Sequence, residues 1–155
     1  MPRPRKITVS WSYPVLFDRR DGSCACEDRY GIYAVTRELR GREPELLYIG
    51  LTERSFARRM DEHQKRYEKN HRGFLVRYGE KKVRFGRVSF NDDGSVDRKL
   101  LLEDVETFFI CRYAPLFNTS KAVHGAKVTY PNLVFENTGF RWKFDRENRM
   151  KEVLE

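Results

Sequence analysis

GIYAVTRELRGREPELLYIG, residues 31–50, begins Gly-Ile-Tyr and ends Tyr-Ile-Gly, with a polar, turn-rich centre between two apolar arms. Short apolar runs either side of a Gly- and Pro-bearing turn predict a hairpin with strands over 31–36 and 45–50. The mirrored ends suggest a register with Tyr33 opposite Tyr48, Gly31 opposite Gly50 and Ile32 opposite Ile49. Successive side chains alternate between faces of a strand. Both tyrosines and both glycines would then share one face, and both isoleucines would point into the buried one. Beside the rings the sheet would be bare, and a bulky ligand could approach its backbone. Such a pair also arises for cross-strand packing alone, and phenols with an ordinary pKa of about 10 are poor bases unless cations lower it.

Downstream, Phe56, Met60, His63 and Tyr67 recur at helical spacing over 55–69, with Thr52 or Ser55 available as N-cap. Arg59 and His63 lie four residues apart and so stack one turn above the other. His63 falls within the apolar stripe, where a histidine is commonly a satisfied core residue. Arg59 flanks it, and Arg54 and Arg58 face solvent. Residues 73–78 suggest a short helical piece, and VRFGRVSF, 83–90, a third strand. The strongest helix runs over about 96–113 and ends before Pro115. It carries Glu103, Asp104 and Glu106, among which periodicity does not choose.

Residues 1–30 read as an irregular basic arm with room for one short strand. The tail offers one extended piece over 127–135 and a charged helix from about 145. The expected architecture is α+β: a small, mainly antiparallel three-stranded sheet flanked by helices. The expected organisation is a single domain, 1–155, with a core over about 30–120, an N-terminal arm over 1–29 and a C-terminal extension over 121–155.

The chain has 155 residues, 39% hydrophobic and 35% charged, a balance typical of a globular domain. Lys and Arg outnumber Asp and Glu by 31 to 23, giving a net charge of +8, so a polyanion is the first partner to consider beside plain solubility. Arginine clusters interleaved with aromatics, RSFARR and HQKRY, favour nucleic acid. No apolar run approaches the roughly 18 residues of a membrane span, and Pro14, Ser10 and Ser12 interrupt the N-terminal region that a signal peptide would need. Cys24 and Cys26 form half of a zinc site at most, with no second pair at usable spacing. Three cysteines suggest no disulfide framework, and the expectation is a reduced, cytoplasmic protein without membrane attachment.

Taken together, Gly31-Ile32-Tyr33, Tyr48-Ile49-Gly50, Arg59, His63, a helix bearing Glu106, and Asn118 in YAPLFN resemble the GIY-YIG nuclease superfamily over about residues 30–120. The resemblance implies a metal-dependent DNA endonuclease with one magnesium or manganese ion. It implies that Tyr33 orients or deprotonates the attacking water, while Tyr48 supports that water or the scissile phosphate. Arg59 would offset charge on the phosphate, and His63 would hydrogen-bond to a tyrosine hydroxyl. Glu106 would hold the metal. Asn118 would tie the following loop to the site or contact phosphate. The register of Glu106, Tyr113, Pro115 and Asn118 selects Glu106 among the three acids. LTERS, after YIG, is one residue longer than in the homing enzymes, so Arg58 competes with Arg59, and helical phase favours Arg59. Candidate nucleic-acid contacts are Gly31, Gly50, Arg54, Arg58, Arg66, Lys127, Arg141 beside Trp142, Lys143 and the PRPRK arm. A monomer or weak homodimer is expected. The rival readings are a dimeric restriction-type enzyme and a non-catalytic nucleic-acid-binding module.

Overall fold

The computed structural model describes residues 5–18, 29–91, 93–118 and 127–154; Cys24, Cys26 and the first four residues of the arm lie outside them. The hairpin forms as β3 (Gly31–Glu38) and β4 (Glu45–Thr52), and β5 (Glu80–Phe90) pairs antiparallel on the other side of β3. The sheet does not stop there. β1 (Arg5–Trp11) pairs with β5, β6 (Leu133–Gly139) runs parallel to β1, and β7 (Glu147–Arg149) closes the order β4-β3-β5-β1-β6-β7. The two-residue β2 (Val15–Leu16) pairs with β5 off this path. The three-stranded sheet expected from sequence is therefore corrected to a seven-stranded, mixed, curled sheet, still within an α+β fold.

The cause is visible in β1. In RKITVSW, Ile7, Val9 and Trp11 are buried and alternate with more accessible Lys6, Thr8 and Ser10, the period of a half-buried strand. The segment read as an arm is thus an interior strand, hydrogen-bonded on both edges. The tail is equally integral, since Phe135, Phe144 and Met150 are fully buried in one core with Trp11 and Ile32. The charged helix expected from 145 is instead the short β7 followed by α3 (Lys151–Leu154).

Alternation along β3 divides the interior in two. Ile32 and Ala34 pack with Phe108 and Phe109 of α2 (Arg98–Tyr113), whereas Tyr33 and Val35 pack with Phe56 and Met60 of α1 (Phe56–Asn70). The two helices therefore cover opposite faces of the sheet. Each begins at a side-chain cap, Ser55 for α1 and Asp97 for α2, and each ends at a left-handed residue, His71 and Ala114. Of the candidate catalytic residues, Tyr33, Tyr48, Arg59 and His63 gather on the α1 face, Asn118 lies along the β4 edge and Glu106 is carried by α2. No helix among the described residues is long and apolar enough to cross a membrane.

Candidate active site

The observed hairpin register is offset by two residues from the mirrored one: Tyr33 lies opposite Gly50, Gly31 opposite Thr52 and Tyr48 opposite Val35, with an irregularity between Val35 and Thr36. An even offset preserves faces, so both tyrosines still share the α1 face, with ring centroids 6.0 Å apart. The glycines serve another purpose than the one expected. A Cβ on Gly50 would stand 2.3 Å from the Tyr33 hydroxyl, and one on Gly31 would stand 2.2 Å from the Gly86 carbonyl oxygen and 2.8 Å from the Phe56 ring. Both glycines are buried. Their bare backbone admits the Tyr33 and Tyr48 rings at Gly50 and the Gly86 carbonyl and Phe56 ring at Gly31.

Tyr33 is fully buried, at 0% exposure. Its hydroxyl accepts from Arg59 Nε at 3.3 Å and lies 2.6 Å from His63 Nε2. Burial, with the Arg59 and Arg66 charges adding to it, pushes the His63 pKa down to about 3. The imidazole is therefore neutral near pH 7, and which group donates in the pair follows its tautomer. Burial also raises the Tyr33 pKa well above its usual value, Tyr48 adds to the rise, and the opposing pull of Arg59 is smaller. The expectation that cations favour the tyrosinate is thus reversed, because desolvation outweighs them.

Of the two competing arginines, Arg59 turns to Tyr33 and Arg58 is exposed. Arg59 NH1 also bonds Glu62 at 2.8 Å, and Arg54 bonds the same carboxylate at 2.5 Å. Burial would raise the Glu62 pKa, but the Arg59 hydrogen bond and the surrounding arginines hold it below the usual range. Sequence reasoning passed over Glu62, although its position three residues after Arg59 on a helix was the signal for such a pair.

On α2, Asp104 is committed elsewhere: its carboxylate accepts from the backbone of Thr129 at 3.1 Å and Tyr130 at 2.6 Å, fastening the segment that leads into β6. Glu106 is half-buried, and its charge acts on the Tyr33 hydroxyl. Among the described residues no three His, Cys, Asp or Glu side chains form a metal cluster. A lone carboxylate suits a hard ion that completes its shell with water and phosphate oxygens, as magnesium and manganese do, and does not suit zinc.

Asn118 brackets the edge of β4, with Ile49 N donating to its Oδ1 and its Nδ2 donating to Ile49 O, both at 2.8 Å. Leu116 and Phe117 donate to the carbonyls of Leu46 and Leu47, so the loop after α2 runs along the edge strand like another strand. Of its two expected roles, Asn118 performs the tying one.

The remaining predicted contacts separate. Arg66 lies by His63 on the α1 face. Arg141 donates to the Phe144 carbonyl, and Lys143 sits over the Trp142 ring at 4.6 Å. Trp142 stacks under Arg84, which pairs with Ala34, so this group lies on the opposite face from Tyr33. Lys127 is exposed ahead of β6. Compared with known family models, curated proteins and solved structures, the chain shows no match.

Proposed function

We propose that this chain is a metal-dependent endonuclease of the GIY-YIG type, hydrolysing phosphodiester bonds in DNA. The observation that carries the reading is one hydrogen-bonded cluster, in which Arg59 Nε donates to the Tyr33 hydroxyl and that hydroxyl pairs with His63 Nε2, with Tyr48 beside it. Arginine, phenols and imidazole thus meet across β3, β4 and α1, and the reading assigns the carboxylate to Glu106 of α2.

Each group has a role that its surroundings support. Arg59 retains partial exposure, and its guanidinium offsets negative charge on the phosphate as water attacks phosphorus and the bond to the 3′ oxygen breaks. Tyr48 is the more accessible phenol and orients the water. Tyr33 holds Arg59 and His63 in register. Glu106 would hold a magnesium or manganese ion, whose Lewis acidity stabilises charge on the phosphate oxygens. The products implied are a 5′-phosphate and a 3′-hydroxyl.

The full burial of Tyr33 favours a second reading, in which the network is a satisfied core and the chain binds nucleic acid without cutting it. Supercoiled plasmid separates the two. The nuclease nicks it with magnesium and stops with EDTA, and Glu106→Gln abolishes nicking while DNA binding in a gel-shift assay is kept. Binding without nicking by the wild-type chain supports the module and overturns the enzyme.

A further inference from the structure

Beside Tyr48 and His63 a cleft of about 200 Å³ opens between α1, the short 3-10 turn Phe74–Val76 and the loop after α2. Its inner surface is aromatic. The Phe74 ring packs 5.3 Å from Tyr48 and 4.9 Å from His63, and Phe117 forms the opposite side.

Arg66 and Arg72 stand at its mouth, both exposed, and neither has a carboxylate partner among the described residues. They differ in this from Arg54 and Arg59, which share Glu62. His63 adds a polar edge. Its Nε2 pairs with the Tyr33 hydroxyl, and its Nδ1 meets no hydrogen-bond partner among the described residues although His63 is only 8% exposed. A buried polar atom without a protein partner is uncommon and calls for a ligand atom or water. Two guanidiniums without a carboxylate partner among the described residues, one buried ring nitrogen and flat apolar faces complement a phosphate joined to a nucleobase.

We propose that this cleft receives the nucleotide adjoining the scissile phosphate, with its phosphate between Arg66 and Arg72 and its base against Phe74 and Phe117. The assignment rests on the nuclease reading and sharpens it. A base seated there has left its duplex stack, at a cost that is least where the nucleotide is already unpaired. The favoured substrate is therefore a strand carrying an unpaired nucleotide at the cut.

The test uses the full chain in EDTA, titrated with 5′-dAMP, deoxyadenosine and inorganic phosphate, with binding read from the His63 ring resonances. The expected result is that 5′-dAMP shifts those resonances and binds at least about tenfold tighter than either fragment. Arg66→Ala and Arg72→Ala, both at exposed positions, should each weaken it about tenfold. Phe117→Ala should weaken 5′-dAMP and leave phosphate unchanged. Equal affinity for phosphate and 5′-dAMP, or no shift of His63, overturns the proposal. Because no cleavage is involved, the two readings fail separately. Binding without magnesium-dependent nicking sinks the nuclease alone, and nicking without nucleotide binding sinks this cleft alone.

Discussion

On the α2 face of the sheet, buried polar groups serve as fasteners, each closing on a partner that holds two segments together. Trp11 Nε1 donates to Asn137 Oδ1 at 3.0 Å, and Asn137 Nδ2 donates in turn to the Asp145 carbonyl at 2.7 Å and to Asn148 at 2.8 Å. Asp104 takes two backbone N–H groups. On the α1 face the cluster of Arg59, Tyr33 and His63 instead leaves Nδ1 of His63 without a partner among the described residues, beside a half-buried Tyr48 and a cleft. Both faces are aromatic. The difference lies in how the networks end: a closed one adds rigidity, whereas an open one leaves a polar atom that a substrate can satisfy.

If the α2 face is the structural one, damage there should cost the most stability. Phe135 is fully buried and stacks on Phe108 at 4.6 Å. Phe135→Ala should lower unfolding free energy by about 3–5 kcal/mol in urea titrations. A loss below 1 kcal/mol would mean that β6 is the peripheral addition the sequence suggested.

The next effect falls on the α1 face and should move activity more than stability. In Gly50→Ala the new methyl would lie within 2.3 Å of the Tyr33 hydroxyl, so the ring must shift. Overpacking of this kind costs about 1–3 kcal/mol. On the proposed nuclease reading, a displacement near 1 Å in the ring that positions Arg59 should lower nicking about a hundredfold. Nicking rates on plasmid check it, and wild-type rates in a folded variant would detach Tyr33 from the chemistry.

Tyr33→Phe removes the link that both Arg59 and His63 share. It leaves His63 Nε2 buried without its hydrogen-bond partner, a loss of about 1–2 kcal/mol. The expected signature is a changed His63 ring resonance with the sheet intact. An unchanged resonance would show that the pair does not form in solution.

The α1 face was more legible than the α2 face because its residues carry chemistry as well as periodicity. Phe56, Met60 and His63 could be read on one stripe, and the burial of all three agrees with that reading. The two-residue offset in the hairpin could not be read, since mirrored letters do not encode which bulge a turn adopts. Nor could the parallel pairing of β1 with β6, which joins segments more than a hundred positions apart. The alternation in KITVSW marks the short strand for which the N-terminal segment had room, but the nearby prolines and basic residues do not show that it pairs on both edges. The sign of the Tyr33 shift also lay beyond sequence, because composition supplies the cations while only packing supplies the desolvation that outweighs them.

The smallest effect at neutral pH comes from titration of His63, and it sharpens the contrast between faces in acid. The folded-state pKa is about 3, against an ordinary value of 6.5 for an unfolded chain. Above pH 6.5 the imidazole is neutral in both states, and titration contributes nothing to the pH dependence. As pH falls below that value the unfolded chain takes the proton first, so stability declines continuously until the folded protein protonates as well. The melting temperature should therefore drop between about pH 6.5 and pH 3. In His63→Gln that share of the drop should vanish while the carboxylate contributions remain, leaving a shallower profile. Parallel profiles for the two proteins would mean that His63 is charged or solvated in the folded state. The open end of the α1 network would then be occupied by water, and the two faces would differ in packing alone.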